Sequence, residues 1–365
     1  MNRYILSPEF HRHLWLRFSW LRALFVPVAL LCVIYSHYMI YDERWAEIAS
    51  GRLFWAYVLI VGLWGNHEAA NALRDEVRAN TWDMQRMTPC GPAPWIFGKV
   101  LGVTCFVWYV ALLVLAAAFA LYFIGGAPIL SRWAPLGAVV TAEKALYAAL
   151  FMVLGGFLGH AVTFLVSFDG IVGKAEPDPR NRRPRTVAAF VAGLGVGWLL
   201  VVQAGMSLLE HGRISRWTPT VNWYDMALPT EVFTTLAAVF FGFWVLVGLY
   251  RLAKAEMMYA LTPLYWFLGV LCIALFVGGL AFDPRMATRG SIFEDYRQYA
   301  FPFYIFTFTL AATYYAMLAN SGDLRRYARM FAALRAGKLR QVFENMPQWL
   351  ASMALVLAAY AFVIW

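Results

Sequence analysis

Charged side chains are scarce in this chain of 365 residues, because Asp, Glu, Lys and Arg together make up only 14% of it. Hydrophobic residues account for 62%, and the mean hydropathy is +0.59. A water-soluble domain cannot cover its surface with so little polar material. The composition therefore excludes a soluble protein and predicts an all-α, polytopic integral membrane protein.

Cysteine is also scarce, and its spacing excludes two kinds of site. The four residues, Cys32, Cys90, Cys105 and Cys272, are far apart and form no CxxC pair. Such scattering indicates neither a disulfide framework nor a metal site. The formal net charge of +9 does not indicate a nucleic-acid partner, because the Lys and Arg residues lie between apolar runs, where they set membrane topology.

A nucleotide-binding motif is missing as well. A Walker A loop requires G-x-x-x-x-G-K followed by Ser or Thr. Gly98-Lys99 is followed by Val100, and the pair Gly173-Lys174 also fails the pattern. We therefore predict no catalytic residue, no bound cofactor and no ATPase activity in this chain.

Long apolar runs fill most of the sequence. A helix needs about 20 residues to cross the hydrocarbon core. Runs of this kind lie near 23 to 41, 53 to 72, 97 to 124, 143 to 167, 187 to 208, 230 to 250, 262 to 282, 299 to 319 and 348 to 365. We predict about nine spans, within a range of eight to ten. The first run has no small-residue cleavage site where a signal peptide would need one, so we expect it to be retained.

The basic residues predict the orientation of these spans. Lys and Arg accumulate before the first span, between spans two and three, in residues 168–186 and in residues 321–347. The positive-inside rule then places the N-terminus in the cytoplasm, and no large extracytoplasmic domain is expected. We predict one membrane domain over residues 1–365, in the bacterial inner membrane.

Two amphipathic helices are predicted outside the spans. Ser7-Pro8-Glu9 is typical of a helix start, with a capping Ser, Pro in the first turn and an acid near the positive end of the dipole. Over residues 7–22 apolar side chains recur at helical spacing, which predicts a helix lying in the membrane interface. Residues 321–347 show the same pattern with arginines between the apolar positions, and this helix faces either the membrane surface or a partner.

The polar stretch from Asn71 to Lys99 is unusual because it separates two apolar runs and is internally ordered. We expect span two to continue past the membrane surface as a polar helix and to turn near Asn80. Thr81 would then cap a second short helix, which ends before Pro89. A loop that only fixes topology has no need of acids, a capping Thr and a Thr-Pro stop at fixed spacing.

This stretch resembles the segment between spans two and three of ABC-2 type ATP-binding-cassette permeases. The residues that carry the resemblance are Glu76, Arg78, Thr81, Trp82, Asp83, Arg86, Thr88 and Pro89, with Gly98 and Lys99 at the entry of span three. Asn80 stands where the family usually has Gly. The motif covers about 25 residues, and the rest of the chain is similar only in its N-terminal amphipathic helix and its array of spans.

The resemblance implies the transmembrane subunit of an exporter. Its coupling segment (residues 74–96) would dock onto a separate cytosolic ABC ATPase, which binds ATP and magnesium. Asp83 and Arg86 would contact this ATPase, with Trp82 as an apolar anchor. The working pair would be a homodimer or a dimer with a related permease chain, surrounded by membrane lipid. Aromatic, apolar spans suit many apolar substrates, so no substrate-binding residue is assigned.

Two other functions stay open from the residues alone. An ion-coupled secondary carrier should show carboxylates or broken helices near the span midplanes. A membrane enzyme acting on lipid should show a polar cluster at one membrane face, for which only His67-Glu68, beside Arg74 and Glu76, is a candidate.

Within the spans, two features predict packing. Gly155 to Gly159 and Gly193 to Gly197 are GxxxG spacings that let helices approach closely. His160 lies moderately deep in an apolar run, where we expect an interhelical hydrogen bond.

Overall fold

The computed structural model describes residues 7–79, 81, 84, 90–125, 142–169, 186–208, 220–259, 262–280, 297–319 and 324–364. Nearly all of them are helical, which confirms the all-α class. The helices are α1 (Pro8–Arg17), α2 (Trp20–Ile40), α3 (Trp45–Leu59), α4 (Asn66–Arg78), α5 (Pro92–Val103), α6 (Cys105–Gly125), α7 (Ala142–Asp169), α8 (Thr186–Leu208), α9 (Thr230–Glu256), α10 (Leu264–Gly279), α11 (Arg297–Ala319), α12 (Leu324–Arg335), α13 (Leu339–Asn345) and α14 (Gln348–Ile364). A π-helical segment, Ile60–Gly65, joins α3 to α4, and strands β1 (Thr220–Trp223) and β2 (Met226–Pro229) form an antiparallel hairpin.

Seven of the described helices are long and apolar enough to cross a membrane, and an eighth is added if α13 and α14 form one bent span. The seven are Trp20–Ile40, Trp45–Arg78, Cys105–Ile124, Glu143–Asp169, Thr186–Ala204, Thr230–Glu256 and Ala300–Leu318. These helices make the chain an integral membrane protein.

The difference from nine predicted spans has a physical cause. The apolar runs near 262 to 282 and 348 to 365 form α10 and α14, which have 16 and 17 residues in the described structure. At 1.5 Å per residue these helices reach about 25 Å, whereas the hydrocarbon core is about 30 Å thick.

The described structure divides into two compact units. The first comprises Met1–Trp217 with Thr235–Met257, and the second comprises Thr218–Thr234 with Met258–Trp365. Helices α1 to α8 and most of α9 therefore belong to the first unit. A single membrane domain over residues 1–365 stays a prediction.

The N-terminal helix begins where the sequence predicts and ends earlier. The Ser7 side chain accepts a hydrogen bond from the backbone N–H of Phe10 at 3.2 Å, so Ser7 is the N-cap. The helix ends at Arg17 instead of continuing to residue 22, because Phe18 takes an extended conformation, and α2 begins at Trp20.

Span two changes its helical geometry in the middle. The π-helical segment Ile60–Gly65 interrupts the α-helical hydrogen bonding, and His160 Nε2 lies 3.0 Å from the carbonyl oxygen of Val61. The predicted interhelical hydrogen bond of His160 is therefore confirmed. A row of polar contacts continues toward the end of the span: Thr163 donates to Asn66 at 2.9 Å, and Ser167 donates to the Ala70 carbonyl at 3.1 Å.

Helices α7 and α8 pack through the glycines of the two GxxxG spacings. A Cβ atom on Gly193 would lie 2.4 Å from the Gly159 carbonyl oxygen, and one on Gly155 would lie 3.1 Å from that of Gly197. Only glycine allows this approach of two backbones. The glycines therefore serve packing within one chain, as predicted.

In the second unit, the β-hairpin covers the end of the short helix α10. Its turn places Tyr224 and Asp225 at φ of 47° and 59°, a left-handed conformation that is uncommon for residues other than glycine. Trp223 Nε1 donates to the Phe276 carbonyl at 3.0 Å, and the Tyr224 hydroxyl donates to that of Leu275 at 2.7 Å. The Trp223 indole thus satisfies the carbonyl of Phe276, one of the last four of α10, which a helix end leaves without intrahelical partners.

Candidate functional site

The coupling segment, residues 74–96, begins in the last turns of α4 and ends in the first turns of α5. Helix α4 continues span two and ends at Arg78, and α5 begins at Pro92 with Gly91 as N-cap. Of the residues predicted to meet an ATPase, Trp82, Asp83, Arg86 and Pro89 lie outside the described part of the chain. The described structure therefore shows the helices that support the two ends of the segment, which we call its frame.

At the centre of this frame is the fully buried side chain of Lys99. Its ammonium group forms ion pairs with Glu76, on α4, and with Glu9, on α1, whose Oε1 lies 3.0 Å from Nζ. The ammonium also lies 5.3 Å from the centre of the Trp95 ring, in a cation–π contact. One lysine thus connects the N-terminal helix, the end of span two and the start of span three.

Arg12 makes a second connection between the same two carboxylates. Its Nη2 lies 2.7 Å from Glu9 Oε1 and 2.7 Å from Glu76 Oε1. His13 Nε2 lies 3.1 Å from Glu9 Oε1 and 3.9 Å from Glu76 Oε1. We call Glu9, Arg12, His13, Glu76 and Lys99 the ion cluster; its two acids balance its two permanent cations.

The proton affinities of the cluster follow from burial and charge. Burial by itself raises the pKa of Glu9, but hydrogen bonds from His13 and Arg12 and the charge of Lys99 together hold this pKa well below its usual range. Burial lowers the pKa of His13, and the nearby cations oppose its protonation further. Burial also opposes the charge of Arg12, yet the bonds to Glu9 and Glu76 leave its pKa raised. Glu9 and Arg12 are thus ionised at neutral pH.

Two glycines allow α1 to lie this close to α5. A Cβ atom on Gly98 would come within 2.5 Å of Ser7 Oγ and 2.9 Å of the Phe10 backbone nitrogen. A Cβ atom on Gly102 would come within 2.8 Å of the Cβ of His13. Glycine is therefore required at position 98 for a steric reason, because the helix that carries Glu9 and His13 packs directly against its backbone.

A second ion pair extends the connection. Arg17, in the last turn of α1, pairs with Glu68 in the first turn of α4, and the Trp64 indole N–H also donates to Glu68 at 3.3 Å. Glu68 is therefore engaged in holding α1, while the neighbouring His67 is exposed and lies against Asn71. This arrangement does not favour the lipid-acting enzyme for which His67-Glu68 is the candidate.

The ion cluster also has a spacing that suits a metal ion, since ligand atoms of Glu9, His13 and Glu76 lie within 4.8 Å of one another. Lys99 and Arg12, however, each bond to both carboxylates. A divalent cation would have to displace an ammonium group and add charge to a balanced set. We therefore interpret the cluster as an internal ion-pair network.

The structure places the remaining motif residues in different surroundings. Glu76 and Lys99 meet directly, Gly98 lies beneath α1, and Arg78 is exposed. Thr81 donates from its backbone N–H and its hydroxyl to the Glu76 carbonyl, at 3.0 and 3.3 Å, and so closes the end of α4. Its predicted capping of a second helix stays a prediction, since that helix lies mostly outside the described residues.

Sequence reasoning missed three members of the cluster, Glu9, Arg12 and His13. The sequence indicates only a helix-dipole role for Glu9 and an interfacial helix over residues 7–22. A signal for them exists: Glu9, Arg12 and His13 recur at helical spacing on one side of α1, where an interfacial helix would otherwise expose them to water.

Comparison of the chain with protein-family models, with characterised proteins and with solved structures finds no match.

Proposed function

We propose that this chain is the transmembrane permease subunit of an ABC-2 type exporter, which couples ATP hydrolysis by a separate nucleotide-binding subunit to the export of a substrate. The observation that carries the proposal is the ion cluster. It fastens Glu76, near the start of the coupling segment, to Lys99, just beyond its end, and fastens both to α1.

This arrangement suits the transmission of force. A segment that only connects two spans can be loose, because its position has no consequence for the spans. Here a displacement of the coupling segment would move α1, α4 and α5 together, since breaking a buried ion pair costs several kcal/mol. Closure of an ATPase dimer could therefore reach the spans without being absorbed by bending of the loop.

The length of span two supports the same function. The continuous helix Trp45–Arg78 has 34 residues, which corresponds to about 50 Å at 1.5 Å per residue. The hydrocarbon core takes up about 30 Å of this length. The last turns, which carry Glu68 and Glu76, would then project from the membrane and present the coupling segment to a soluble partner.

The decisive experiment is co-purification with a cytosolic ABC ATPase from the same cells. Asp83→Ala combined with Arg86→Ala should release the ATPase and abolish stimulation of its activity in proteoliposomes. Arg44→Ala combined with Glu47→Ala is the matched control, because it removes another acid–base pair three residues apart, from the opposite predicted membrane face. Undiminished association of the Asp83/Arg86 variant would overturn the proposal.

A further inference from the structure

The C-terminal helical pair, α12 and α13, differs in charge from the rest of the second unit. Over residues 324–345 it carries six basic residues and one acid, Glu344, a formal net charge of +5. The basic residues are Arg325, Arg326, Arg329, Arg335, Lys338 and Arg340. Glu344 is itself paired with Arg340 at 3.1 Å. The sequence of the pair is therefore strongly positive, and Arg335, Lys338 and Arg340 are exposed.

The same two helices expose large apolar side chains. Phe331 and Leu334 on α12 are 52% and 53% exposed, and Leu339 and Phe343 on α13 are 73% and 54% exposed. On α12, helical spacing places Phe331 and Leu334 on the side opposite Arg329, while Met330 is buried within the unit. Helix α12 thus has a packed side and an exposed apolar side, and α13, none of whose residues is buried, exposes apolar and basic side chains together.

The direction of the pair is set by the start of α14. Helix α13 ends at Asn345. The next residue, Met346, is extended before Pro347, and the axes of α13 and α14 differ by 95°. If α14 enters the apolar region of the bilayer along the membrane normal, a helix at a right angle to it runs along the membrane surface. The Trp349 indole N–H donates to the Tyr327 hydroxyl at 2.7 Å, so α12 is attached to the first turn of α14.

The connection between α12 and α13 is a tight, defined turn. Gly337, at φ 68°, ends α12 with two backbone hydrogen bonds, from Gly337 to the Leu334 carbonyl at 3.1 Å and from Lys338 to that of Ala333 at 3.0 Å. This is the Schellman arrangement, in which glycine accepts the left-handed backbone. The two helices therefore stay together as one surface.

We propose that the C-terminal helical pair lies in the membrane interface and binds anionic phospholipid headgroups. Phe331, Leu334, Leu339 and Phe343 enter the boundary between headgroups and acyl chains. The exposed basic residues Arg335, Lys338 and Arg340 bind the lipid phosphates. This inference does not depend on the proposed exporter function.

Lipid is favoured over a soluble protein as the occupant because of position and charge. The exposed apolar residues lie on a segment that leads directly into the apolar helix α14, so they are close to the hydrocarbon. Interfacial helices bind through buried apolar area together with attraction of Lys and Arg to anionic lipids. The helical pair supplies both on one surface.

The first test measures the depth of α12 in vesicles. The full chain, with Cys32, Cys90, Cys105 and Cys272 replaced by alanine, carries a spin label at residue 331, 334 or 329. In vesicles of phosphatidylcholine with 30% phosphatidylglycerol as the probe composition, labels at 331 and 334 should be reached by oxygen more than by a water-soluble nickel complex, and the label at 329 should show the reverse. Exposure of all three labels to the nickel complex would overturn the proposal. Protection of 331 and 334 from both agents would also overturn it, since it indicates a protein partner.

The second test keeps the native cysteines and counts bound lipid. The purified chain, equilibrated with equal amounts of phosphatidylcholine and phosphatidylglycerol, is analysed by native mass spectrometry. The triple variant Arg335→Gln, Lys338→Gln, Arg340→Gln should retain at least about fivefold less phosphatidylglycerol at unchanged phosphatidylcholine. The control replaces Arg182, Arg183 and Arg185 by Gln in the basic stretch of residues 168–186. An equal loss in both variants, or no loss in the first, would contradict binding at the helical pair.

Discussion

Helices α1 and α12 have similar patterns of basic and apolar residues but are held in the structure by different interactions. Both are amphipathic, with arginines between apolar residues. Helix α1 turns its charged side inward, where Glu9 and Arg12 join a buried network, and exposes Trp15 and Leu16. Helix α12 buries Met330 and is tied to α14 through the hydrogen bond from the Trp349 indole to the Tyr327 hydroxyl. The same kind of pattern thus produces a rigid joint in one unit and a surface element in the other.

The difference comes from what lies beneath each helix. Helix α1 rests on Gly98 and Gly102, which bring its carboxylate within reach of Lys99. A buried ammonium group is costly unless its partners are in place, so this joint tolerates little displacement. Helix α12 carries exposed charge, such as that of Arg335, which can remain in water or among lipid headgroups.

The largest effect is expected from Lys99→Met, which leaves two buried carboxylates with one cation fewer. We expect the first unit to lose about 3–5 kcal/mol of stability. Thermal unfolding of the purified chain in nanodiscs measures this loss. Lys338→Met, on the exposed surface beside α12, is the control and should change the transition very little. If Lys99→Met is as stable as the wild type, the ion cluster does not hold α1 more firmly than α12 is held.

Gly98→Ala tests the close approach of α1 by steric means alone. The new methyl group would meet Ser7 Oγ and the Phe10 backbone, so α1 must move, at a cost of about 1–3 kcal/mol. Faster proteolysis between α1 and α2 and a lower unfolding temperature should report it. Gly195→Ala is the matched control, since nothing lies within 4 Å of the added atom and helix propensity improves equally. If both variants behave alike, α1 does not rest on Gly98.

Acidification should weaken α1 through two groups whose pKa values are lowered by folding. A lowered pKa means that the unfolded chain binds the proton more readily, so stability is present above the unfolded pKa and is lost as pH falls. The loss should begin with His13 below about pH 6.5 and continue with Glu9 below about pH 4.5. Unfolding transitions at pH 7 and pH 5 measure the first part, and His13→Gln should remove it. An unchanged pH dependence in that variant would assign the loss to other groups.

The smallest effect is expected from Trp349→Phe, which removes the hydrogen bond to Tyr327 and keeps most of the ring. Its loss should cost about 0.5–1.5 kcal/mol and increase hydrogen exchange in α12 while leaving α1 unchanged. A double-mutant cycle with Tyr327→Phe isolates the bond. A coupling energy near that of the ion cluster would mean that the two helices are equally well fastened.

The sequence predicts most of the helices because length and hydropathy decide membrane insertion. It also predicts the start of α1 and the packing of the GxxxG glycines, which depend on local chemistry. The ion cluster could not be predicted in full, because Glu9 and Glu76 are 67 positions apart in the chain and only the approach of α1 to Gly98 brings them together. The β-hairpin was also missed, since a turn at Tyr224 and Asp225 contains none of the glycines that usually mark such a conformation.

The π-helical segment Ile60–Gly65 has a consequence for the phase of span two. A π-helical turn adds one residue, so helix α4 is rotated by about 100° relative to an uninterrupted α-helix. The residues of span two that contact α7 therefore follow one helical register before the insertion and another after it. Tyr57 contacts α7 before the insertion, and Asn66 and Ala70 contact it afterwards. Deleting one residue at Gly62 would restore a single phase, and every side chain beyond it, including Glu76, would point to a different neighbour.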